Sequence, residues 1–350
     1  MKDSTIEPLY QPTQLLKSLY LSERLGLTVL LKMDCALPSG SFKIRGMSHL
    51  IQTCIKQNYT SFVASSGGNA GIAATTVCAK LKMPLHVFLP VTTPKKIIDK
   101  LKLIYPADPK NPEKLPGVQI TQSGANWNEA DKLAREKVET STEKIKYISP
   151  FDDPLLWEGH SSIITEMKNE MDKKDSEFNI PDLVICSVGG GGLFNGIRQG
   201  LINNYGESIG NQIPVLAVET IGCHSLNEAV KRNEKGFRLN EISSKATSLG
   251  SLYASDQTFD LYTSSNSFST LVSDQQCFDS MKEFSRNERV LIEPACAASI
   301  AAIDSAEKFN EIRKNWQNSH FEGKAGLSDD MKVIVIEVCG GNITEPYYEL

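Results

Sequence analysis

The chain has 350 residues and a formal net charge of -5, with 40% hydrophobic and 23% charged residues. This composition is ordinary for a globular protein, and the length allows one or two domains. The slight acidic excess argues against a nucleic-acid partner. No uninterrupted apolar run is long enough to cross a membrane, and the first ten residues lack the apolar core of a secretory signal. We therefore expect a cytoplasmic protein.

The cysteines indicate a reducing compartment. None of them forms a C-x-x-C pair, and most lie in apolar patterns. In a long chain without an export signal, this favours free thiols over disulfides. The five histidines do not cluster with the cysteines, so we predict no zinc site. The cysteines occupy positions 35, 54, 78, 186, 223, 277, 296 and 339.

In chain order, short apolar strands alternate with helical patterns, which predicts an α/β fold with mostly parallel sheets. Helices are predicted over residues 15–25, 72–81, 93–103, 126–138 and 156–171, after Lys43, and from about 194 and 294. Strands are predicted over residues 29–33, 61–64, 83–90, 118–120, 182–188, 215–218 and 331–338.

A lysine follows a turn of small residues in the sequence PSGSFKIRG, residues 38–46. A buried strand precedes Lys43 and a helical pattern follows it, with Ser39 and Ser41 as candidate helix caps. The start of a helix disfavours a positive charge, which lowers the pKa of a lysine there. A neutral amine can form a Schiff base with a carbonyl compound. The alternative is a solvated lysine without a chemical role.

Four consecutive glycines join the apolar strand 182–188 to a helix. Bare backbone N–H groups at a helix start suit a phosphate. A dinucleotide fingerprint does not fit, because its third glycine would fall on Phe194 or Asn195, and no glycine-lysine pair has the following Ser or Thr of a P-loop. A tight turn without a ligand is the alternative. The glycines are Gly189, Gly190, Gly191 and Gly192.

Two further loops follow buried strands. Ser66 and Asn69, in SSGGNAG at 65–71, offer a hydroxyl and an amide beside backbone that could hold a carboxylate, although N-capping is the alternative. Cys339 follows the last strand, where a buried cysteine is most often a small apolar residue. Ligands collect beyond the carboxyl ends of parallel strands, so we expect these groups and Lys43 to converge. An amine, a phosphate cradle and a carboxylate loop together indicate pyridoxal phosphate.

Seven ordered sequence blocks resemble the eukaryotic catabolic serine/threonine dehydratase branch of the fold-type II pyridoxal-phosphate enzymes, across almost the whole chain. The resemblance implies two open, twisted, mostly parallel sheets flanked by helices, as in the tryptophan synthase β family. We expect a small domain at 34–148, inserted into a large cofactor-binding domain formed by 1–33 and 149–350. The blocks are PSGSFKIRG (38–46), SSGGNAG (65–71), PFDDPLLWEGH (150–160), SVGGGGL (187–193), VETIGCHSL (218–226), EPACAAS (293–299) and VCGGN (338–342).

The same resemblance implies roles for individual residues. Lys43 is the Schiff-base lysine and Ser66 a second catalytic residue. The implied cofactor contacts are Phe42 and Ser248 on the two ring faces, Asn69 at the ring oxygen, Cys339 at the pyridine nitrogen, and Gly189, Gly190, Gly191, Gly192 and Leu193 at the phosphate. The implied substrate contacts are Ser66, Gly67, Asn69, Ala70 and Phe151. A monovalent cation, K⁺, is implied at Glu219 and at backbone near Gly189, Cys223, Leu249 and Ser251.

The implied reaction is β-elimination, giving pyruvate and ammonia from L-serine and 2-oxobutyrate and ammonia from L-threonine. A thiol at Cys339, where an aspartate would keep the ring nitrogen protonated, favours loss of the β-hydroxyl. Many relatives carry alanine at position 67, so we expect Gly67 to loosen the substrate loop. We expect a homodimer of amino-acid catabolism and gluconeogenesis without a regulatory domain. Serine racemase, a sulfhydrylase-type β-replacement enzyme and an inactive cofactor-binding homologue are the alternatives.

Overall fold

A computed structural model describes residues 6–111, 113–173, 179–317 and 327–343. The chain divides into two compact units. The first unit contains the described residues up to Gln11 together with Ser41–Gly159, and the second contains Pro12–Gly40 and the described residues from His160 onward. The chain passes between the units three times, after Gln11, Gly40 and Gly159. The first crossing was not expected, and the other two come later in the chain than the expected boundaries of 34 and 148.

Strands and helices alternate along most of the chain. The strands are β1 (Leu15–Ser18), β2 (Thr28–Lys32), β3 (Ser61–Ala64), β4 (Leu85–Leu89), β5 (Val118–Gln122), β6 (Ile145–Ile148), β7 (Leu183–Ser187), β8 (Val215–Thr220), β9 (Ser267–Val272) and β10 (Val333–Glu337). The helices are α1 (Leu19–Leu25), α2 (Lys43–Lys56), α3 (Asn69–Leu81), α4 (Lys95–Ile104), α5 (Trp127–Glu139), α6 (Pro154–Lys173), α7 (Gly192–Tyr205), α8 (Glu207–Gln212), α9 (Ser225–Arg232), α10 (Asp256–Ser264), α11 (Asp274–Glu288), α12 (Pro294–Ala301) and α13 (Ala306–Gln317).

The first unit is built on a four-stranded sheet in the order β5-β4-β3-β6, and all of its neighbouring strands are parallel. Strand β6 pairs with β3 through Tyr147 and Ile148. The expected boundary at residue 148 therefore falls at the end of a strand inside the first unit.

The second unit contains a six-stranded sheet in the order β1-β2-β10-β7-β8-β9. Only the edge pair β1–β2 is antiparallel. Every residue of β7, β8 and β10 is buried, as expected for central parallel strands covered on both faces. The predicted α/β class, with two mostly parallel sheets flanked by helices, is confirmed.

The structure corrects the prediction at the start of the chain. Residues 15–25 were predicted as one helix, but Leu15–Ser18 form the edge strand β1 and the helix begins at Leu19. The Ser18 hydroxyl caps this helix by accepting a hydrogen bond from the Leu21 N–H group. Among the described residues, no helix combines the length and apolarity required of a membrane span.

Arg198 is a fully buried cation on α7, the helix that follows the glycine run. Its guanidinium donates to the Ile213 carbonyl at 2.8 Å, to the Ser267 hydroxyl at 2.7 Å and to the Asn266 carbonyl. Burial lowers the pKa of Arg198 to about 9. The rigid fork of donors therefore ties α7 to the segments that lead into β8 and β9.

We predict that Arg198→Leu lowers the free energy of unfolding by about 3 kcal/mol, because several buried carbonyl and hydroxyl acceptors lose their donors. Urea unfolding followed by the fluorescence of Trp316, which donates to Asn266 Oδ1 at 3.2 Å, measures the change. Arg232→Leu is the control, since Arg232 is exposed, with a pair to Glu228 and a ring contact with Phe237, and its loss should cost less than about 1 kcal/mol. Equal small losses in both variants would contradict the prediction.

Candidate functional site

The glycine run follows β7, and the atoms around it leave little room for side chains. Gly191 has a φ of +93°, and a Cβ there would lie 1.8 Å from Thr258 Oγ1, so only glycine fits. Helix α7 begins at Gly192, and the Asn195 N–H group donates to the Gly191 carbonyl at 2.9 Å. The N–H groups before Asn195 stand in the first turn, where a helix offers them no acceptor. This arrangement suits a phosphate group.

The segment before α10 holds the glycine run in place. The Ser255 N–H group donates to the Gly190 carbonyl at 3.0 Å, and the Asn195 side-chain amide donates to the Ser255 hydroxyl at 3.1 Å. On the other side, a Cβ at Gly189 would lie 3.0 Å from the Leu249 carbonyl oxygen. The structure thus brings Gly189 together with Leu249, two residues predicted to lie at one site.

Cys339 lies just beyond β10, beside the end of the neighbouring strand β7. Its Sγ is 3.4 Å from the hydroxyl of Ser187, the last residue of β7. Cys296 forms a thiol hydrogen bond with Cys339, and burial raises the pKa of Cys296 well above its usual value. The predicted ring-nitrogen partner and the predicted phosphate cradle therefore follow adjacent strands.

Glu293 contacts the predicted site residue Ser248, and the sequence analysis gave it no role. It is 4% exposed at the N-cap of α12, and its carboxylate accepts a hydrogen bond from the Ser248 hydroxyl at 2.8 Å. The Glu293 N–H group donates to the Gly340 carbonyl at 3.1 Å. The available sequence signal was a carboxylate directly before a proline and an apolar alanine-rich helix. Burying a charge there is costly without hydrogen-bond partners, so a carboxylate at this position indicates that such partners exist.

The turn before Lys43 is held against the segment that follows Cys339. The Asn342 side-chain amide donates to the Ser39 carbonyl at 2.8 Å, and the Gly341 N–H group donates to the Gly40 carbonyl at 2.9 Å. Both bonds lie within the second unit. Gly40 has a φ of +73°, and any Cβ would collide with Asn342.

Lys43 is the first residue of α2 in the first unit. Phe42 occupies the N-cap without a side-chain capping bond, so the prediction that Ser39 or Ser41 caps this helix is wrong. Lys43 is half-buried, and its Nζ donates to the Pro150 carbonyl at 2.7 Å and lies 4.9 Å from the centre of the Phe42 ring. The first unit therefore brings Phe42 and Lys43 to the segment that contains the buried Phe151.

The predicted substrate loop turns back tightly onto α3. A Cβ at Gly71 would lie 1.7 Å from the Ser66 carbonyl oxygen, so this return requires glycine. Helix α3 begins at Asn69, with Gly68 at the N-cap and no side-chain capping bond. The capping alternative for Ser66 and Asn69 is therefore wrong. Ala70 is the second residue of the helix and is buried.

Apart from Gly189, the predicted cation ligands lie at the end of β8, in the loop that follows it and in the segment around Leu249. Glu219 is fully buried, and its carboxylate accepts hydrogen bonds from the N–H groups of Leu226 at 2.9 Å and Asn227 at 2.7 Å. Burial raises the pKa of Glu219 to about 8, although these two bonds oppose the shift. The Cys223 N–H group donates a hydrogen bond to the Thr220 carbonyl at 2.8 Å.

Nearby, the Ser251 N–H group donates to the Leu249 carbonyl at 2.7 Å. Within the described ranges, no group of three or more His, Cys, Asp or Glu side chains could hold a metal ion. A cation here would depend mainly on backbone carbonyls.

Comparison with known proteins gives a consistent result. A family model described as pyridoxal-phosphate dependent enzyme matches residues 6–317. The chain is 36% identical to L-serine dehydratase/L-threonine deaminase of Mus musculus, covering 96% of this chain and 92% of that protein. It is also 36% identical to the catabolic L-serine/threonine dehydratase of Saccharomyces cerevisiae, covering 95% and 88%. The structure of a fungal L-serine ammonia-lyase from Rhizomucor miehei matches with a TM-score of 0.78 at 27% identity, covering 96% and 95%.

We predict that Gly67→Ala changes the kcat/KM for L-serine severalfold without loss of cofactor. A Cβ at Gly67 would lie 3.0 Å from Ile97 Cγ2 and 3.2 Å from Leu89 Cδ2, so the added methyl must displace the loop or its neighbours by a few tenths of an ångström. Steady-state kinetics and cofactor absorbance measure both effects. Adding Ile97→Ala should restore the original values, because it frees the space; unchanged kinetics in the single variant would refute the idea.

Proposed function

Because the chain belongs to the family of pyridoxal-phosphate-dependent enzymes, we propose that it converts L-serine to pyruvate and ammonia, and L-threonine to 2-oxobutyrate and ammonia. The observation that carries this proposal is the 36% identity, over nearly the whole chain, to enzymes named for serine and threonine dehydration. The overall reaction removes the β-hydroxyl as water and then hydrolyses the remaining C–N bond, so it needs no oxidant or reductant.

The residues present fit the cofactor. The run Gly190 to Gly192 carries no side chains, and the first turn of α7 offers the backbone N–H groups that a phosphate requires. Lys43 is a half-buried amine, and Cys339 is a buried thiol beyond a central strand. When bound, the cofactor supplies an electron-withdrawing ring that stabilises the electron pair left at the substrate Cα. We propose that Lys43 holds its aldehyde carbon, that Phe42 and Ser248 flank the ring and that Asn69 meets the ring oxygen.

The amine of Lys43 performs the proton transfer in this proposal. When it is not bound to carbon, Lys43 Nζ would accept the Cα proton as a general base. The Pro150 carbonyl, 2.7 Å from Nζ, accepts one of its N–H hydrogens and orients the lone pair. This contact keeps the amine at a fixed position while it is not bound to carbon.

The substrate carboxylate is assigned to the loop that leads into α3. The Ser66 hydroxyl and the first N–H groups of α3, from Asn69 and Ala70, offer donors at the positive end of a helix dipole. We assign Gly67 to this loop and Phe151 to the apolar side of the substrate pocket. A thiol at Cys339 does not hold a proton on the ring nitrogen as a carboxylate would, and this favours loss of the β-hydroxyl over reprotonation at Cα.

We also propose a monovalent cation, K⁺, bound by Glu219 and by carbonyl groups near Gly189, Cys223, Leu249 and Ser251. Two observations support it. Glu219 is a fully buried carboxylate held by neutral backbone N–H groups, so its charge would gain from a cation. Gly189 lies against the carbonyl of Leu249.

We further propose a cytosolic homodimer. All eight cysteines are free thiols, which fits a reducing compartment. The dimer rests on the family resemblance, and light scattering of the purified protein measures it directly.

We predict that Lys43→Ala abolishes pyruvate formation from L-serine, because it removes the amine that is proposed to hold the cofactor and to accept the Cα proton. A coupled pyruvate assay and the visible absorbance of the cofactor are the measurements. Lys102→Ala, at an exposed position of α4, is the control and should retain both signals. A Lys43→Ala protein with the wild-type rate would overturn the assignment.

The same assay separates the alternatives. Formation of D-serine in place of pyruvate would indicate a racemase, and a thioether product formed only when a thiol is added would indicate β-replacement. No product with any of these substrates would indicate an inactive homologue.

We predict that K⁺ raises the Tm relative to choline at equal ionic strength, by about 2–4 °C for each kcal/mol of binding free energy. Glu219→Gln should remove this difference, because it deletes the charge that would bind the ion. Glu228→Gln, which changes a partly exposed carboxylate on α9, should keep it. Equal Tm values for the wild type in the two salts would exclude the cation.

A further inference from the structure

A hydrogen-bond network with a buried centre surrounds Ser65, the first residue of the substrate loop, residues 65–71. Ser65 is 1% exposed, and its hydroxyl donates to Asp131 Oδ1 at 2.6 Å. Tyr147 donates its phenolic hydrogen to the same oxygen and lies 3.3 Å from Ser65 Oγ. Arg135 Nε donates to the other oxygen, Asp131 Oδ2, at 2.8 Å. We call these four residues the anchor network.

The anchor network depends on a carboxylate at its centre. A carboxylate only accepts hydrogen bonds, so Asp131 can satisfy three donors at the same time. The Arg135 guanidinium lies 4.1 Å from the centre of the Tyr147 ring, and this cation–π contact fixes the ring. Burial and the bond to Asp131 both raise the pKa of Tyr147, so its hydroxyl stays a donor across the physiological range. An apolar side chain at position 131 would leave three donors without their acceptor.

Regular secondary structure supports the anchor network within the first unit. Asp131 and Arg135 lie one turn apart on α5, which packs against β3, β4 and β6. Tyr147 belongs to β6 and packs against the buried cluster of Val63, Phe88 and Ala134. Groups held by helices and strands keep their positions better than groups on loops.

The position of Ser65 restricts the position of the rest of the substrate loop. Ser65 follows β3 and precedes Ser66. Five residues after Ser66, the return at Gly71 is so tight that the Ser66 carbonyl excludes any side chain there. Gly67 packs beside Leu89 and Ile97. A shift of Ser65 would therefore pass directly to Ser66 and to the start of α3.

We propose that Asp131 is a positioning residue for the reaction, which through Ser65 and Tyr147 fixes the substrate loop so that Ser66 and the first N–H groups of α3 meet the substrate carboxylate. The inference rests on the proposed function, because it assigns the loop to amino-acid binding. Asp131 is 8% exposed and acts through its neighbours rather than by contact with the substrate.

The kinetic test compares Asp131→Ala, Asp131→Asn, Ser65→Ala and the double variant Ser65→Ala/Asp131→Ala. Asp131→Ala should raise the KM for L-serine and lower kcat/KM by about tenfold to hundredfold, with unchanged cofactor content, because a loop misplaced by about 1 Å loses that much rate. Asp131→Asn should recover part of the loss, since its amide oxygen can still accept from Ser65 and Tyr147. The double variant should be no worse than Asp131→Ala, because the two residues act as one unit.

Hydrogen exchange gives a second readout that does not need catalysis. In Asp131→Ala holoenzyme, amides of residues 66–71 should exchange about tenfold faster, while those of residues 189–193 keep the wild-type rate. Glu136→Gln, an exposed carboxylate on the same helix, should change neither readout. If Asp131→Ala does not fold, Tyr147→Phe should produce the same changes at smaller size.

The outcomes separate the two proposals. A wild-type protein that makes no pyruvate refutes the proposed function, and the exchange rates then still decide whether Asp131 fixes the loop. Unchanged exchange in residues 66–71, unchanged KM in an active Asp131→Ala enzyme, or additive losses in the double variant would each overturn the role of Asp131. Loss of cofactor in parallel with loss of rate would also overturn it, because a positioning role predicts retained cofactor.

Discussion

The backbone between β7 and α7 must pass through a space that admits no side chain, and the second unit is arranged around this restriction. Thr258 occupies the volume that a Cβ at Gly191 would need, and the Leu249 carbonyl closes the other end at Gly189. The backbone of the glycine run is also held directly, because the Ser255 N–H group donates a hydrogen bond to the Gly190 carbonyl. The N–H groups at the start of α7 are thereby preorganised, which lowers the entropic cost of binding an anion.

The sequence predicted the central strands well and the edges poorly. Strands β7 and β10 are short continuous apolar runs, a pattern typical of strands buried on both faces, so both could be predicted. Strand β1 was assigned to a helix because a short edge strand, paired on one side only, has a weak alternation that a helical pattern can imitate. The roles of Glu293 and Asp131 were missed for a different reason. Each depends on a partner that is distant in the chain, since Ser65 and Asp131 are separated by 66 positions.

Four buried charged groups in this protein have hydrogen-bonding partners of different kinds. Arg198 is surrounded by carbonyl and hydroxyl oxygens, and Lys32 forms a 2.6 Å ion pair with Glu166. Asp131 receives three side-chain donors, whereas Glu219 receives backbone N–H groups. Removing any one partner would leave a buried charged group without its hydrogen bond, so these clusters are costly to rearrange. They therefore favour a single conformation in the segments that carry the proposed site.

The strand order also sets the sequence in which the two sheets can form during synthesis. Strand β10 is inserted between β2 and β7, so the larger sheet stays split until residues 333–337 have left the ribosome. The four strands of the smaller sheet lie within residues 61–148 and need no later segment to pair. A growing chain can thus complete the smaller sheet early, while one edge of β2 stays unpaired until its partner β10 has been synthesised. During that time the unpaired apolar edge is exposed to aggregation. This hazard is typical of folds with high contact order, and a chaperone would relieve it.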